Sequence, residues 1–385
     1  MSNLVLSALL DDASALNGGA ADFGPPTYLE GLGVLLRACE SEAGLHAMGR
    51  SIVRDDLVRL LSNRLKLQQW RRAHPHQDSL TIAKPIFIVG LPRTGTTLLQ
   101  NLLSLDAESD SVAEWQANAP CPPKGVNAGL DSQRMQAAQM KWEFLIRANP
   151  AIKAIHNGAA ESVAECQTLM THEFRSFHFS CLLRIPSYVE WLNACDMRPA
   201  YEYHKMMLQS FQSASAKKHW ILKSPSHIFS LNALLSAYPD ARIVVTHRDP
   251  ARVVPSFVSL LKNYHILFTQ NFSESGLSAW CVRQLAMGLS RLIEARQSMP
   301  PERFVDVQYQ QLMRDPVGTV KDIYRHFNAS VSLEHEAAMT HWLAMNPQNK
   351  HGMHVYSAVD LGWFDPAVKA LYSNYVEAFS ILRER

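Results

Sequence analysis

Residues 85–97, Pro-Ile-Phe-Ile-Val-Gly-Leu-Pro-Arg-Thr-Gly-Thr-Thr, constrain the fold of this 385-residue chain more than any other stretch. The apolar run 86–89 predicts a buried strand, Gly90 and Gly95 stand at phosphate-loop spacing, and Thr96-Thr97-Leu98-Leu99 opens a helix. A strand–loop–helix of this kind aims backbone N–H groups and a helix N-terminus at one point, which makes an anion site. The nucleotide-triphosphatase version ends in Gly-Lys-Ser/Thr. Here the lysine slot holds Thr96, and a cation, Arg93, lies earlier in the loop.

The rest of the chain repeats the alternation that such a loop needs. Strands are expected at 86–89, 219–222, 242–246 and 303–308, with helices at 227–237, 251–263, near 276–298 and at 316–327. Strands separated by helices imply parallel β-α-β units. The fold class is therefore α/β, a P-loop-like parallel β-sheet flanked by helices. Residues 27–72 carry apolar residues at helical spacing (Leu32, Leu35, Ile52, Leu57, Leu61, Leu65), which predicts a helical N-terminal extension over 1–80 before a main domain over 81–385. Residues 131–215 read as mostly helical and rich in aromatics, the source of a core and of part of an apolar pocket.

Composition narrows the partners. A hydrophobic content of 47% and a charged content of 19% are those of a globular protein. A net charge of +2 gives no global support for a nucleic-acid partner, so any basic site is local. No apolar run approaches the roughly 20 residues that span a bilayer, so no integral membrane segment is expected. The first residues lack the basic start of a secretory signal. The six cysteines are scattered without metal-ligand spacing, which points to free thiols, no metal and a cytoplasmic location.

A second signal follows downstream. Trp-Ile-Leu-Lys-Ser-Pro-Ser-His (220–227) ends a strand at Lys223, and Arg-Ile-Val-Val-Thr-His-Arg-Asp-Pro (242–250) ends the next at Arg248, with Ser256 eight residues later. Ligands of open α/β sheets bind at the carboxyl ends of strands. A guanidinium fork and a hydroxyl there suit a phosphate.

From about residue 84 to 375 these segments resemble the sulfotransferases that use 3′-phosphoadenosine 5′-phosphosulfate (PAPS), especially the bacterial ones. The resemblance implies that Arg93, Thr94, Gly95, Thr96 and Thr97 hold the 5′-phosphosulfate and that Arg248 and Ser256 clamp the 3′-phosphate. It places Tyr309, in Phe-Val-Asp-Val-Gln-Tyr-Gln-Gln-Leu (304–312), near the adenine, with Gln310 where the family has an acid. Lys350, His351 and Gly352 resemble the basic-Gly segment that closes over the 3′-phosphate. Animal members carry a tryptophan after the Thr-Thr pair; this chain has Leu98, so another aromatic such as Phe257 must stack on the base.

The implied reaction moves a sulfuryl group from PAPS to a hydroxyl, or an amine, of a small-molecule or lipid-like acceptor, leaving adenosine 3′,5′-bisphosphate (PAP). Positioning and electrostatics carry such transfers, with no demand for a metal. Arg93 and Lys223 are the catalytic cations. Two bases compete: His227, four residues after Lys223, and Glu114, at the end of the second strand in the relatives. Glu114 is favoured, provided that burial raises its pKa. Glu161 and Glu165, spaced as on one helix face, read as structural, as does His156. A P-loop kinase or triphosphatase lacks support in the missing lysine, and a non-catalytic binding relative sits poorly with an intact Arg93 and Lys223.

Overall fold

The computed structural model describes residues 4–155, 158–212, 215, 217, 219–270, 274–347 and 366–384. Three helices, α1 (Leu6–Ala15), α2 (Tyr28–Ser41) and α3 (Ala47–Ala73), precede β1 (Ile86–Gly90) and α4 (Thr96–Leu103). Then come β2 (Ser109–Asp110) and seven helices: α5 (Glu114–Asn118), α6 (Ala128–Ala148), α7 (Ala151–Ile155), α8 (Cys166–Met170), α9 (His178–Leu182), α10 (Pro186–Ala194) and α11 (Arg198–Gln212). The rest alternates: β3 (His219–Lys223), α12 (Leu231–Ala237), β4 (Arg242–His247), α13 (Pro250–His265), α14 (Glu274–Ser298) and β5 (Phe304–Gln308). Helices α15 (Tyr309–Arg314), α16 (Pro316–His326), α17 (Leu333–Met345) and α18 (Pro366–Ala378) finish the chain.

The five strands among the described residues are all parallel, in the order β2-β3-β1-β4-β5. β1 is buried throughout because both faces of the sheet are covered, as a continuous apolar strand requires. Its side chains alternate: Phe87 and Val89 join the larger core with α1, α2, α3 and α14, whereas Ile86 and Ile88 join a smaller one with α4, α16 and α17. Ile243 and Val245 repeat the first assignment on β4, and Val244 the second.

The strand order puts β1 between β3 and β4, with the chain departing from β1 toward one edge and from β3 toward the other. The carboxyl ends of these strands form the topological switch where open α/β sheets bind ligands. One local expectation needs correction, and one strand lies outside the expected set. The helix expected over 227–237 is a 3-10 turn at Pro225–Phe229 followed by α12, because Ser224 caps the turn and Ser230 restarts the chain. The two-residue β2 is too short to leave a periodic signal.

Candidate active site

The loop after β1 takes its shape from three positive backbone angles. Gly90 has φ 132°, and a Cβ there would lie 2.4 Å from the Thr246 carbonyl oxygen on β4. Gly95, at φ 87°, caps α4, and its missing Cβ makes room for Leu312 and the Tyr309 ring. Arg93 itself has φ 67°, a conformation that costs energy for a non-glycine residue and is found preferentially at functional sites. Thr94 turns its side chain inward, where Oγ1 meets the Leu91 carbonyl at 2.7 Å and Thr246 Oγ1 at 2.6 Å. It shapes the loop with its side chain and offers only its backbone to a ligand. Thr96 is buried at the start of α4, and Thr97 is exposed.

Cations converge on this loop from three strands. Arg93 Nε donates to Ser256 Oγ on α13 at 3.1 Å. Arg248, just beyond β4, donates from Nη1 to the Arg93 carbonyl at 2.9 Å and lies over the Tyr309 ring at 3.8 Å. Its other edge grips Glu384 through two hydrogen bonds of 2.8 and 2.9 Å. Lys223, 2% exposed at the end of β3, reaches Thr97 Oγ1 at 3.4 Å and pairs with Glu165. The sequence-predicted Arg93, Thr97, Lys223, Arg248, Ser256 and Tyr309 thus meet around one loop. Lys350, His351, Gly352 and His156 lie outside the described residues.

The two candidate bases part company. His227 is fully buried behind β1, its Nδ1 at 2.8 Å from the Tyr201 hydroxyl and its ring edge-on to Phe87. Burial, with His204 nearby, drives its pKa well below the ordinary value, and it does not line the cavity beside the loop. Glu114 does line that cavity. Desolvation raises its carboxyl to about 7, and the neighbouring Glu165 carboxylate adds to the rise, against Lys141 and Lys223.

Glu165 is the site residue that sequence reasoning missed. Glu161 and Glu165 do not share a helix; both precede α8, in a segment laid along residues 112–115. Ala113 and Val163 form an antiparallel bridge, Ala164 N donates to the Val112 carbonyl at 2.7 Å, and Glu114 N to that of Ser162 at 2.9 Å. This pairing brings two glutamates 51 positions apart to one wall, and the i,i+4 spacing concealed it.

The cavity has a volume of about 300 Å³. Its walls are mainly apolar, from α2 and α3 (Leu35, Ile52) to Phe177, Phe229, Phe257 and Leu260. Glu114, Glu165, Asp56, Arg59 and Lys141 supply its charges. Phe257, expected to stack on a base, stands in this apolar wall. An anion cradle beside an apolar pocket with a near-neutral carboxylate can hold a phosphate ester against a hydroxyl and take that hydroxyl's proton.

The model of the sulfotransferase family matches residues 85–332. The fold is similar to sulfotransferase STF1 from Mycobacterium tuberculosis, at 33% identity and a TM-score of 0.85, covering 97% of this chain and 100% of that one. It is also similar to sulfotransferase STF9 from Mycobacterium avium, at 26% identity and a TM-score of 0.86, covering 99% and 98%. Omega-hydroxy-beta-dihydromenaquinone-9 sulfotransferase Stf3 from Mycobacterium bovis is 29% identical over 256 residues, 63% of this chain and 62% of that protein. The alignment therefore spans under two thirds of that relative's length.

Proposed function

Because the chain belongs to the sulfotransferase family, we propose that it transfers a sulfuryl group from PAPS to a hydroxyl of an apolar, lipid-like acceptor. The observation that carries this reading is the junction of the cation-rimmed loop with an apolar cavity at Glu114. Gly95, whose Cβ would strike Leu312, and the Arg248 guanidinium over Tyr309 fit a nucleotide held between the loop and α15. In this reading the loop amides and Arg93 hold the 5′-phosphosulfate, and Arg248 and Ser256 take the 3′-phosphate, with Glu384 yielding its place on Arg248.

Glu114 then accepts the acceptor's hydroxyl proton while that oxygen bonds to sulfur and the sulfur–oxygen bond to the 5′-phosphate breaks. Lys223, beside Thr97, meets the charge that develops on the departing phosphate oxygen. Glu165 holds Lys223 toward the loop. A lipid-like acceptor agrees with the apolar walls, and the relative Stf3 is named for a menaquinone derivative. No helix among the described residues is long and apolar enough to cross a membrane.

Thermal-shift titration with PAP tests the donor site. Saturation at about 100 times Kd should stabilise the fold by about 2.7 kcal/mol, whereas ATP with Mg²⁺ should not. The reverse pattern sinks the assignment. Incubation with sulfate-labelled PAPS and long-chain primary alcohols should label the alcohol, and Arg93→Ala should abolish the labelling.

A further inference from the structure

Glu114 sits on a helix of five residues, too short to hold itself in place, and the N-terminal helix α3 grips the far end of that helix. The carbonyl of Asn118, the last residue of α5, accepts from Arg59 Nη1 at 2.5 Å and from Asn63 Nδ2 at 2.8 Å, both on α3. The Asn118 side chain turns back. Its Nδ2 donates to the Glu114 carbonyl at 2.8 Å and approaches Glu114 Oε2 at 3.3 Å. Its Oδ1 faces Lys141 Nζ on α6 at 3.5 Å.

Lys141 also donates to Asp56 Oδ1 on α3 at 3.1 Å, and Arg59 donates to the same oxygen from Nε at 3.1 Å and Nη2 at 2.9 Å. Burial alone would raise the Asp56 carboxyl, but Arg59 and Lys141 hold it well below the usual range, so it stays an anion and anchors the lysine. An ammonium can only donate, so it fixes which end of the Asn118 amide it faces. The amide nitrogen is left for Glu114.

We propose that Asn118 is a positioning residue for Glu114, with its amide set by Lys141 and Asp56, so that α3 reaches the proton-accepting carboxylate through hydrogen-bonded side chains. This rests on the reading of Glu114 as the base. It also gives the N-terminal helices a part in the chemistry. The groups facing the Glu114 carboxyl are Glu165 before α8, Lys223 on β3, Lys141 on α6, Tyr264 on α13 and Asn118 itself. Of these, Lys141, Asn118 and Lys223 favour the ionised form, and Lys141 and Asn118 do so without the contact to Thr97 that Lys223 makes.

Carbon NMR of protein labelled at the glutamate carboxyl carbon tests the inference with no need of an acceptor. The Glu114 signal is the one lost in Glu114→Gln. Lys141→Met and Asn118→Ala should each raise its midpoint by about half to one pH unit, a roughly three- to tenfold loss of ionised base at a given pH. Lys141→Arg should restore the wild-type value. Stabilisation by PAP, which binds elsewhere, should be unchanged in all three and reports an intact fold. A midpoint near 7 in the wild type that moves in neither variant overturns the positioning role and leaves Glu114 as the base. A wild-type midpoint in the ordinary glutamate range overturns the base reading instead.

Discussion

A carboxylate that accepts a proton near neutrality has to be held in a state the fold does not favour, and Glu114 should betray this in stability. Its ordinary value is 4.5, and burial beside Glu165 raises it to about 7 in the folded chain. Between those values the folded state binds a proton that the unfolded chain has released, so stability falls as pH rises through this window. Above pH 7 the whole cost is present, on the order of 3 kcal/mol. Glu114→Gln removes the titration. At pH 8 the variant should therefore melt several degrees higher than wild type, with the difference fading toward pH 4.5. Turnover should fall by about a hundredfold or more, as expected for loss of a general base. Wild-type turnover should rise with pH and level off above 7. Melting scans across pH, read beside rates, check both; a variant whose advantage over wild type is no larger at pH 8 than at pH 4.5 would falsify the buried-acid account. His227 carries the opposite signature: burial drives its imidazole, bonded to Tyr201, well below the ordinary value, so its share of stability is lost as pH falls rather than as pH rises.

At the scale of elements, the C-terminal helix decides how the proposed nucleotide clamp is kept. Helix α18 docks on the end of β4, where His247 stacks on Phe379 at 4.3 Å between centroids and its Nδ1 lies 3.1 Å from the Tyr375 hydroxyl. The chain leaving α18 then lays Glu384 on Arg248, with Glu384 N donating to Asp249 Oδ2 at 2.9 Å. A carboxylate on the guanidinium competes with a phosphate for the same donors. If PAP has to displace it, the apparent Kd is raised by the inverse of the open fraction. Glu384→Gln should tighten PAP binding by about tenfold and leave 5′-AMP, which lacks the second phosphate, unchanged. Calorimetric titration of both nucleotides decides it, and equal tightening for the two would mean that Glu384 acts on the field of the site rather than on Arg248. The elements themselves show what a sequence can reveal. The strand runs at 86–89 and 242–246, the loop with Arg93, and the Arg248/Ser256 spacing are local patterns, and the structure places them together. Glu165, Asp56, Lys141 and Glu384 are not local. Each reaches the site through tertiary pairing, and neighbouring residues leave no periodicity that says so.

The whole molecule raises the question of whether the N-terminal helices are an addition to the domain or part of it. Leu32, Leu35, Leu57, Leu61 and Leu65 are buried in the same apolar cluster as Phe87 and Val89 of the central strand. Arg64 of α3 lies at the centre of that contact with 0% of its side chain exposed, paired to Glu173 at 2.8 Å. It donates to the carbonyls of Phe23 at 3.0 Å, Pro25 at 3.1 Å and His172 at 2.8 Å, and it is sandwiched between the rings of Tyr28 at 4.2 Å and Tyr203 at 4.4 Å. So dense a set of partners offsets the desolvation of a buried cation, which a pair alone seldom does. Removing the guanidinium leaves Glu173, whose carboxyl burial already pushes upward, with a hydrogen bond from Thr27 and the more distant Arg175 at 3.5 Å. Arg64→Met should cost about 3–5 kcal/mol. Arg64→Met together with Glu173→Gln should recover part of that loss, because neither charge is then left buried alone. Urea unfolding of the two variants measures this. A chain cut to begin at residue 81 would expose the cluster's apolar face and open the cavity wall formed by Leu35 and Ile52, and it is expected to aggregate rather than bind PAP. A soluble, PAP-binding fragment would instead make residues 1–80 a separable extension.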